Sequence, residues 1–161
     1  VFVDPVHPDL RSWRLSARAW LLQMGVSGPA PRSLQSLRGE WRHLVRDVHD
    51  SSWRAGGAVY VGRSPAFGPT KYGNRVAPVD ASRLTSRAKA ALAHERAVRA
   101  YALWLGQPER AELRARMSRR LRGRPLACHC SGRGLACHAE VIAVVANAAV
   151  PTSVLLCEGC A

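Results

Sequence analysis

From Ala58 to Asn147 the chain alternates short apolar runs with long helical patterns, an order that few folds accommodate. Ala58-Val-Tyr-Val61 reads as a strand ending in Gly62-Arg63. Ser64 to Asp80 is rich in Pro and Gly and is expected to be a loop, and a structureless stretch of that length is usually functional. From Ser82 the pattern is helical, with Leu84, Ala88, Leu92, Val98, Tyr101 and Leu105 before Gly106. Pro108 and Glu109 open another helix through Leu121, closed by Arg122-Gly-Arg124. Pro125 to Cys128 reads as a second strand, His138 to Asn147 as a helix, and Thr152 to Leu156 as the candidate third strand. This alternation predicts an α/β domain with a small, mostly parallel sheet and flanking helices. Parallel strands share a carboxyl edge, where open α/β sheets bind ligands. Arg63, Cys128 to Cys130 and Cys157 are all expected to converge there.

Upstream, residues 1–55 are expected to form an N-terminal helical hairpin, separated by Gly56-Gly57 from an α/β domain over 58–161. Leu15, Trp20, Leu21, Leu22 and Met24 give the first helix an apolar face, and Gly25 to Pro31 breaks it. Ser33 is placed to cap a second helix, in which Leu34, Leu37, Trp41, Leu44, Val45 and Val48 recur at helical spacing up to Asp50. A helix-turn-helix DNA reader is one use for such a pair. The seven-residue break is longer than that motif's usual turn of about three or four residues, which favours a packing hairpin.

The chain of 161 residues is 47% hydrophobic, enough for an ordinary core. Its longest apolar stretch, Val141 to Val150, is interrupted by Asn147 and falls short of the roughly 20 residues a membrane span needs, so no membrane partner is expected. Val1 to Leu10 lacks a signal-peptide pattern, and an odd cysteine count suits no secreted disulfide framework, so a cytoplasmic location is expected. The formal net charge of +13 makes nucleic acid or a phosphorylated ligand the default partner, against the plainer reading of a solvated basic surface. All but Lys71 and Lys89 of the 24 basic residues are arginine, as a GC-rich bacterial or phage genome would also produce.

All five cysteines lie in the last 34 residues, three of them with two histidines between Leu126 and His138. Cys128, Cys130, Cys137 and His138 supply the four thiolate and imidazole ligands of a zinc tetrahedron, with the C-x-x-C pair Cys157 and Cys160 as alternates. Cys137 and His138 are adjacent, so on a helix their side chains diverge by about 100°, and one ligand from that pair is expected rather than two. A second reading is catalytic. Cys137 at the start of the last helix becomes a thiolate nucleophile, with His138 or His129 as base and Arg63 adding positive charge. The third makes the cysteines buried and merely structural.

Gly62, Arg63, Gly73 and Asn74 read as an anion cradle. Glycine lets backbone N–H groups approach a phosphate, Asn tolerates tight loop geometry, and arginine grips phosphate bidentately. A glycine-rich turn with Arg63 in a structural salt bridge is the plainer alternative. Tyr60, Phe67 and Tyr72 are placed to stack on a base or simply to pack. His7, His43, His49 and His94 have no partner at ligand spacing and are expected on helix surfaces.

Several of these motifs occur together in a known family. Tyr60-Val-Gly62-Arg63, Gly73-Asn74, Arg99-Ala-Tyr101-Ala-Leu-Trp104-Leu105, Leu121-Arg-Gly-Arg-Pro-Leu-Ala-Cys128-His-Cys130 and Cys137-His138-Ala-Glu-Val-Ile142 make residues 58–147 resemble the family catalogued as domain of unknown function 4326. Its usual Pro after Gly-Asn is Arg75 here, and its usual Trp between the cysteines is His129. The resemblance implies a compact α/β domain and no agreed reaction. The expected function is binding or processing of a nucleotide or nucleic acid at an Arg63/Asn74/Cys-His site. The alternative is a non-enzymatic, zinc-stabilised nucleic-acid-binding or assembly module.

Overall fold

The computed structural model describes residues 33–66, 68, 71–76, 84–148 and 155–156. Helix α1 (Leu34–Trp41) begins where Ser33 accepts a hydrogen bond from the Ser36 N–H. A 3₁₀ turn (Arg42–Leu44) leads into strand β1 (Val45–Asp47), followed by a single turn α2 (Ser52–Ala55) and strand β2 (Val59–Tyr60). Helix α3 (Arg87–Gly106), capped by Ser86, joins helix α4 (Ala111–Leu121) through a 3₁₀ turn at Pro108–Arg110. Strand β3 (Leu126–Cys128), a 3₁₀ turn (Ser131–Arg133) and helix α5 (His138–Asn147) complete the described elements.

The three strands form a parallel sheet in the order β1-β3-β2, with Asp47 opposite Cys128 and Tyr60 opposite Ala127. The α/β class and parallel sheet expected from the alternation are therefore present. The chain crosses the sheet from β1 to β2 and then returns to insert β3 between them, which brings Cys128 out at the carboxyl end of the central strand. Such a reversal of direction is where open parallel sheets leave a crevice.

Two expectations from the helical spacing need correction. The helix assigned to run from Ser33 to Asp50 ends at Trp41, and Val45–Asp47 is an edge strand of the sheet. Val45 and Val48 fit a helical period, but pairing with β3 rewards an extended backbone at Val45, which β-branched residues adopt readily, and Val48 in the following turn is buried beside Trp53 and Tyr60. The third strand is thus β1. Of the proposed strand Thr152 to Leu156, residues 152–154 lie outside the described residues and Leu155 is helical. Both flanks of β3 are already occupied by β1 and β2. The first helix of the expected hairpin also lies outside the described residues, as do Cys157 and Cys160.

Successive β3 side chains point to opposite faces. Leu126 and Cys128 join the main core, built from α1, α3, α4 and α5 around Val61, Tyr101, Leu105, Met117, Leu121 and Ile142. Ala127 faces a smaller cluster with Val48, Trp53 and Tyr60. Helix α5 is buried from His138 to Ala146, as an almost uniformly apolar helix must be.

One polar network crosses this core. Arg38 of α1 donates from Nε and Nη2 to Glu140 Oε2 at 3.0 and 2.9 Å, and from Nη1 and Nη2 to Glu95 at 2.5 and 3.2 Å. Arg42 adds a 2.9 Å contact to the other Glu140 oxygen. Burial disfavours the Arg38 charge, but Glu95 and Glu140 outweigh it and hold the guanidinium protonated above its ordinary range. The Arg38 hydrogen bonds, against some burial, hold the Glu95 carboxyl below its usual 4.5. A lowered carboxyl contributes stability that is complete above the unfolded value and is lost as pH falls through the folded one. Glu95→Gln is therefore expected to flatten the loss of thermal stability between about pH 5 and 3. An unchanged acid limb in thermal melts would show that the pair contributes nothing.

Candidate functional site

The end of β2 and the loop after it pack backbone to backbone. A Cβ on Gly73 would lie 2.7 Å from the Gly62 carbonyl oxygen, and one on Gly62 would lie 2.3 Å from the Tyr60 hydroxyl. Gly73 is required by this backbone approach, and Gly62 by the Tyr60 ring packed over it. The Tyr60 hydroxyl accepts the Ser64 N–H at 2.8 Å, and the Tyr101 hydroxyl donates to the Tyr72 carbonyl at 2.8 Å. Asn74 is buried, its Nδ2 donating to the Ala97 carbonyl at 2.8 Å and its Oδ1 accepting the Val76 N–H at 3.1 Å. These bonds tie the 71–76 loop to α3, which makes Asn74 a positioning residue.

Between this loop, α3 and the end of β3 lies a cleft of about 370 Å³, lined by Arg63, Ser64, Asn74, His94, Ala97, Val98, Cys128, His129, Cys130, Ala136 and His138. Among the described residues no carboxylate lines it. Arg63 is exposed, and no carboxylate among the described residues pairs with it. Gly73 faces elsewhere, lining a second cavity with Lys71, Arg75, Val76 and Trp104.

The floor of the cleft is sulfur and imidazole. Cys128 ends β3, and the Ser131 hydroxyl fixes the following turn by donating toward the carbonyls of Arg46 at 2.7 Å and Cys128 at 3.1 Å. Gly132 in that turn sits against Asp47, where a Cβ would overlap the carboxylate, and Gly134 takes φ 66°, so both positions need glycine. The chain then delivers Cys137 as the N-cap of α5, its Sγ accepting the Ala139 N–H at 3.4 Å. His138 Nε2 lies 2.8 Å from the Val61 carbonyl, which can only accept, so Nε2 carries the proton. The free Nδ1 lone pair faces Cys128 Sγ at 3.9 Å.

Cys128 Sγ, Cys137 Sγ and a His138 ring nitrogen all lie within 4.8 Å of one another and are buried, an arrangement able to hold a metal ion. Both members of the adjacent Cys137-His138 pair take part, contrary to the expectation of one. The 100° divergence applies within a helix, whereas Cys137 is extended at φ −131° and ψ 136°, just ahead of it. The half-buried Cys130 lies on the cleft side of this group, outside the three mutually close ligand atoms. The Cys128 thiol is held far below its ordinary range by hydrogen bonds from Cys130 and Cys137, with burial opposing and His138 assisting. In turn the Cys128 contact pushes Cys130 up to about 12 and Cys137 well above the usual range. The three thiols share one titration rather than owning three.

Cys137 is fully buried, and the neighbouring Cys128 and Cys130 hold its thiol above the usual range. Cys130 is the thiol nearest the opening. Of the histidines expected on helix surfaces, His94 stands on α3 and faces the cleft, whereas His49 lies in the turn after β1. His94 lines the cleft beside the Ala136 carbonyl at 3.3 Å, and burial, then Arg133 and Arg63, lower its affinity for a proton. His49 Nε2 lies 3.4 Å from His129 Nδ1, across the turn after β1. No spacing rule reveals a contact between residues 80 positions apart.

Fold and site together define a small all-parallel α/β domain with a thiol–imidazole cluster at the carboxyl end of its central strand. The family model described as Domain of unknown function (DUF4326) matches residues 45–148, and the chain belongs to that family. The match opens at the first residue of β1, upstream of the motifs that carry the sequence resemblance. No curated protein and no solved structure matches the chain. Among the described residues no helix is long and apolar enough to cross a membrane.

Proposed function

We propose that the domain binds a small phosphorylated ligand, a nucleotide, in the cleft at the strand ends, above a zinc ion held by Cys128, Cys137 and His138. The observation that carries this reading is the pairing of an exposed Arg63 with a cleft in which, among the described residues, no acid lines the wall or pairs with that arginine. Its volume of about 370 Å³ suits a mononucleotide-sized ligand better than a polymer. Arg63 supplies a planar donor fork for phosphate, and His94 and His129 offer ring nitrogens to the remainder.

The donor set supports zinc. Tetrahedral Zn–S bonds of about 2.3 Å put neighbouring sulfurs about 3.8 Å apart, well inside the observed spread. A histidine that gives its other N–H to a backbone carbonyl is also the usual second layer of a metal site. Cys130, on the cleft side of this group, would supply the fourth thiolate and, being the more exposed thiol, would be the ligand most open to exchange.

Arg63→Ala is expected to weaken nucleotide binding in calorimetry by roughly 10–100-fold, the worth of a charge-assisted hydrogen bond, while metal content and melting temperature stay unchanged. Equal affinity in wild type and variant would remove the cleft from consideration. The zinc-stabilised, non-enzymatic module remains as a second reading because three of the four ligands are buried. It predicts unfolding on chelation and no nucleotide affinity at all.

A further inference from the structure

Residues 110–124 hold seven arginines and one glutamate, a net charge of +6 in a chain of +13. Four of these arginines have local work. Arg110 stacks on Trp104 at 4.5 Å, Arg114 donates to the Leu105 and Gln107 carbonyls, Arg119 pairs with Glu112 at 2.9 Å, and Arg122 donates to the Ala146 carbonyl at 3.3 Å. Arg116, Arg120 and Arg124 are exposed, and none pairs with a carboxylate among the described residues. Arg116 and Arg120 stand one helical turn apart on α4, where like charges weaken a helix unless something neutralises them. Fold stability therefore gives no reason for this row.

The row is also remote from the cleft. Arg124 precedes β3, whose far end carries Cys128, so it lies at the amino edge of the sheet. The Gly123 N–H donates to Asn147 Oδ1 at 2.7 Å, placing this turn at the carboxyl end of α5. Cys137 caps the other end of that ten-residue helix, about 15 Å away at 1.5 Å per residue.

We propose that α4 and the turn after it form a second, separate binding surface that grips the phosphate backbone of a nucleic acid duplex without reading its sequence. Guanidinium forks match phosphate oxygens, and a row of cations gains affinity by releasing condensed counterions. A lipid surface fits less well. The large apolar residues of α4 turn inward, Met117 and Leu121 buried and Leu113 partly buried against the core, and among the described residues the exposed large hydrophobics Val76, Leu92 and Leu156 lie outside it. No aromatic side chain stands on α4, so base stacking has no platform there.

The test is fluorescence anisotropy with a labelled 20-base-pair DNA duplex of arbitrary sequence, repeated from about 50 to 200 mM salt. The full chain is compared with Arg116→Gln/Arg120→Gln/Arg124→Gln and with Arg63→Ala. The triple variant is expected to bind at least about tenfold more weakly at low salt and to lower the slope of log K against log salt by roughly 3. Arg124→Gln alone, outside any helix, lowers that slope by roughly 1 and guards against a folding defect in the triple variant. Arg63→Ala leaves duplex binding unchanged, so failure of the cleft reading and failure of this surface are separable. An unchanged slope in the triple variant overturns the proposal, as does loss of duplex binding in Arg63→Ala alone. Absence of duplex binding by the wild-type chain, with an acidic polypeptide bound instead, overturns it as well.

Discussion

Arg38→Ala is expected to destabilise the domain by about 3–5 kcal/mol, because it leaves the Glu140 carboxylate in the core without its main partner. Glu140 is 3% exposed and Arg38 7% exposed, so neither charge can turn to solvent. Arg42 keeps its contact with Glu140 but is itself largely exposed, and it replaces only part of the lost interaction. Against a total stability typically of about 5–15 kcal/mol, such a loss brings the domain close to unfolding at room temperature. The double variant Arg38→Met/Glu140→Leu should recover much of it, since removing both charges also removes the need to desolvate them. Urea unfolding of Arg38→Met, Glu140→Leu and the double gives a coupling energy of about 1–3 kcal/mol if the pair acts as described. A cost below about 1 kcal/mol for Arg38→Ala would mean that the network is incidental to the fold.

The second large effect is expected at Cys128, the buried thiol at the end of the central strand. With the proposed zinc in place, Cys128→Ser should lose that metal and at least about 3 kcal/mol of stability, because metal-binding energy at a buried site is also folding energy. Cys130→Ser, altering a half-buried thiol outside the group of three mutually close ligand atoms, should retain near-stoichiometric metal with weakened affinity. That contrast separates a three-ligand core with a displaceable fourth member from a closed four-ligand site. Equal and complete metal loss in both variants would assign Cys130 to the core set. Unchanged metal content and melting in Cys128→Ser would take the metal out of this cluster.

Much of this site follows from local pattern. The strand reading of Pro125 to Cys128, the helix starting at His138, and the gathering of Arg63, Cys128 and Cys130 at one sheet edge rest on periodicity and on the geometry of parallel strands. Local pattern misleads where tertiary pairing decides. Val45 and Val48 suit a helix until β3 supplies a hydrogen-bonding partner, so the edge strand is invisible in its own segment. The Cys137-His138 pair misleads differently, because a one-residue shift in where the helix begins changes which way Cys137 points. Arg38, Glu95 and Glu140 lie far apart in sequence and look like ordinary solvated charges. Only the packing of α1 on α5 makes them a buried network. His94 is likewise a helix-surface residue by spacing and a cleft residue by packing.

The chemistry of the cleft depends on whether the sulfur and imidazole at its floor hold a metal. Elemental mass spectrometry of protein purified under reducing conditions, paired with thiol titration before and after chelation, asks this directly. About one zinc per chain is expected, with the thiols of Cys128, Cys130 and Cys137 among the five cysteines reacting only once the metal is removed. Metal-free protein whose Cys130 thiol reacts at once, with no change on adding zinc, would contradict the metal centre and leave the cluster a hydrogen-bonded thiol core.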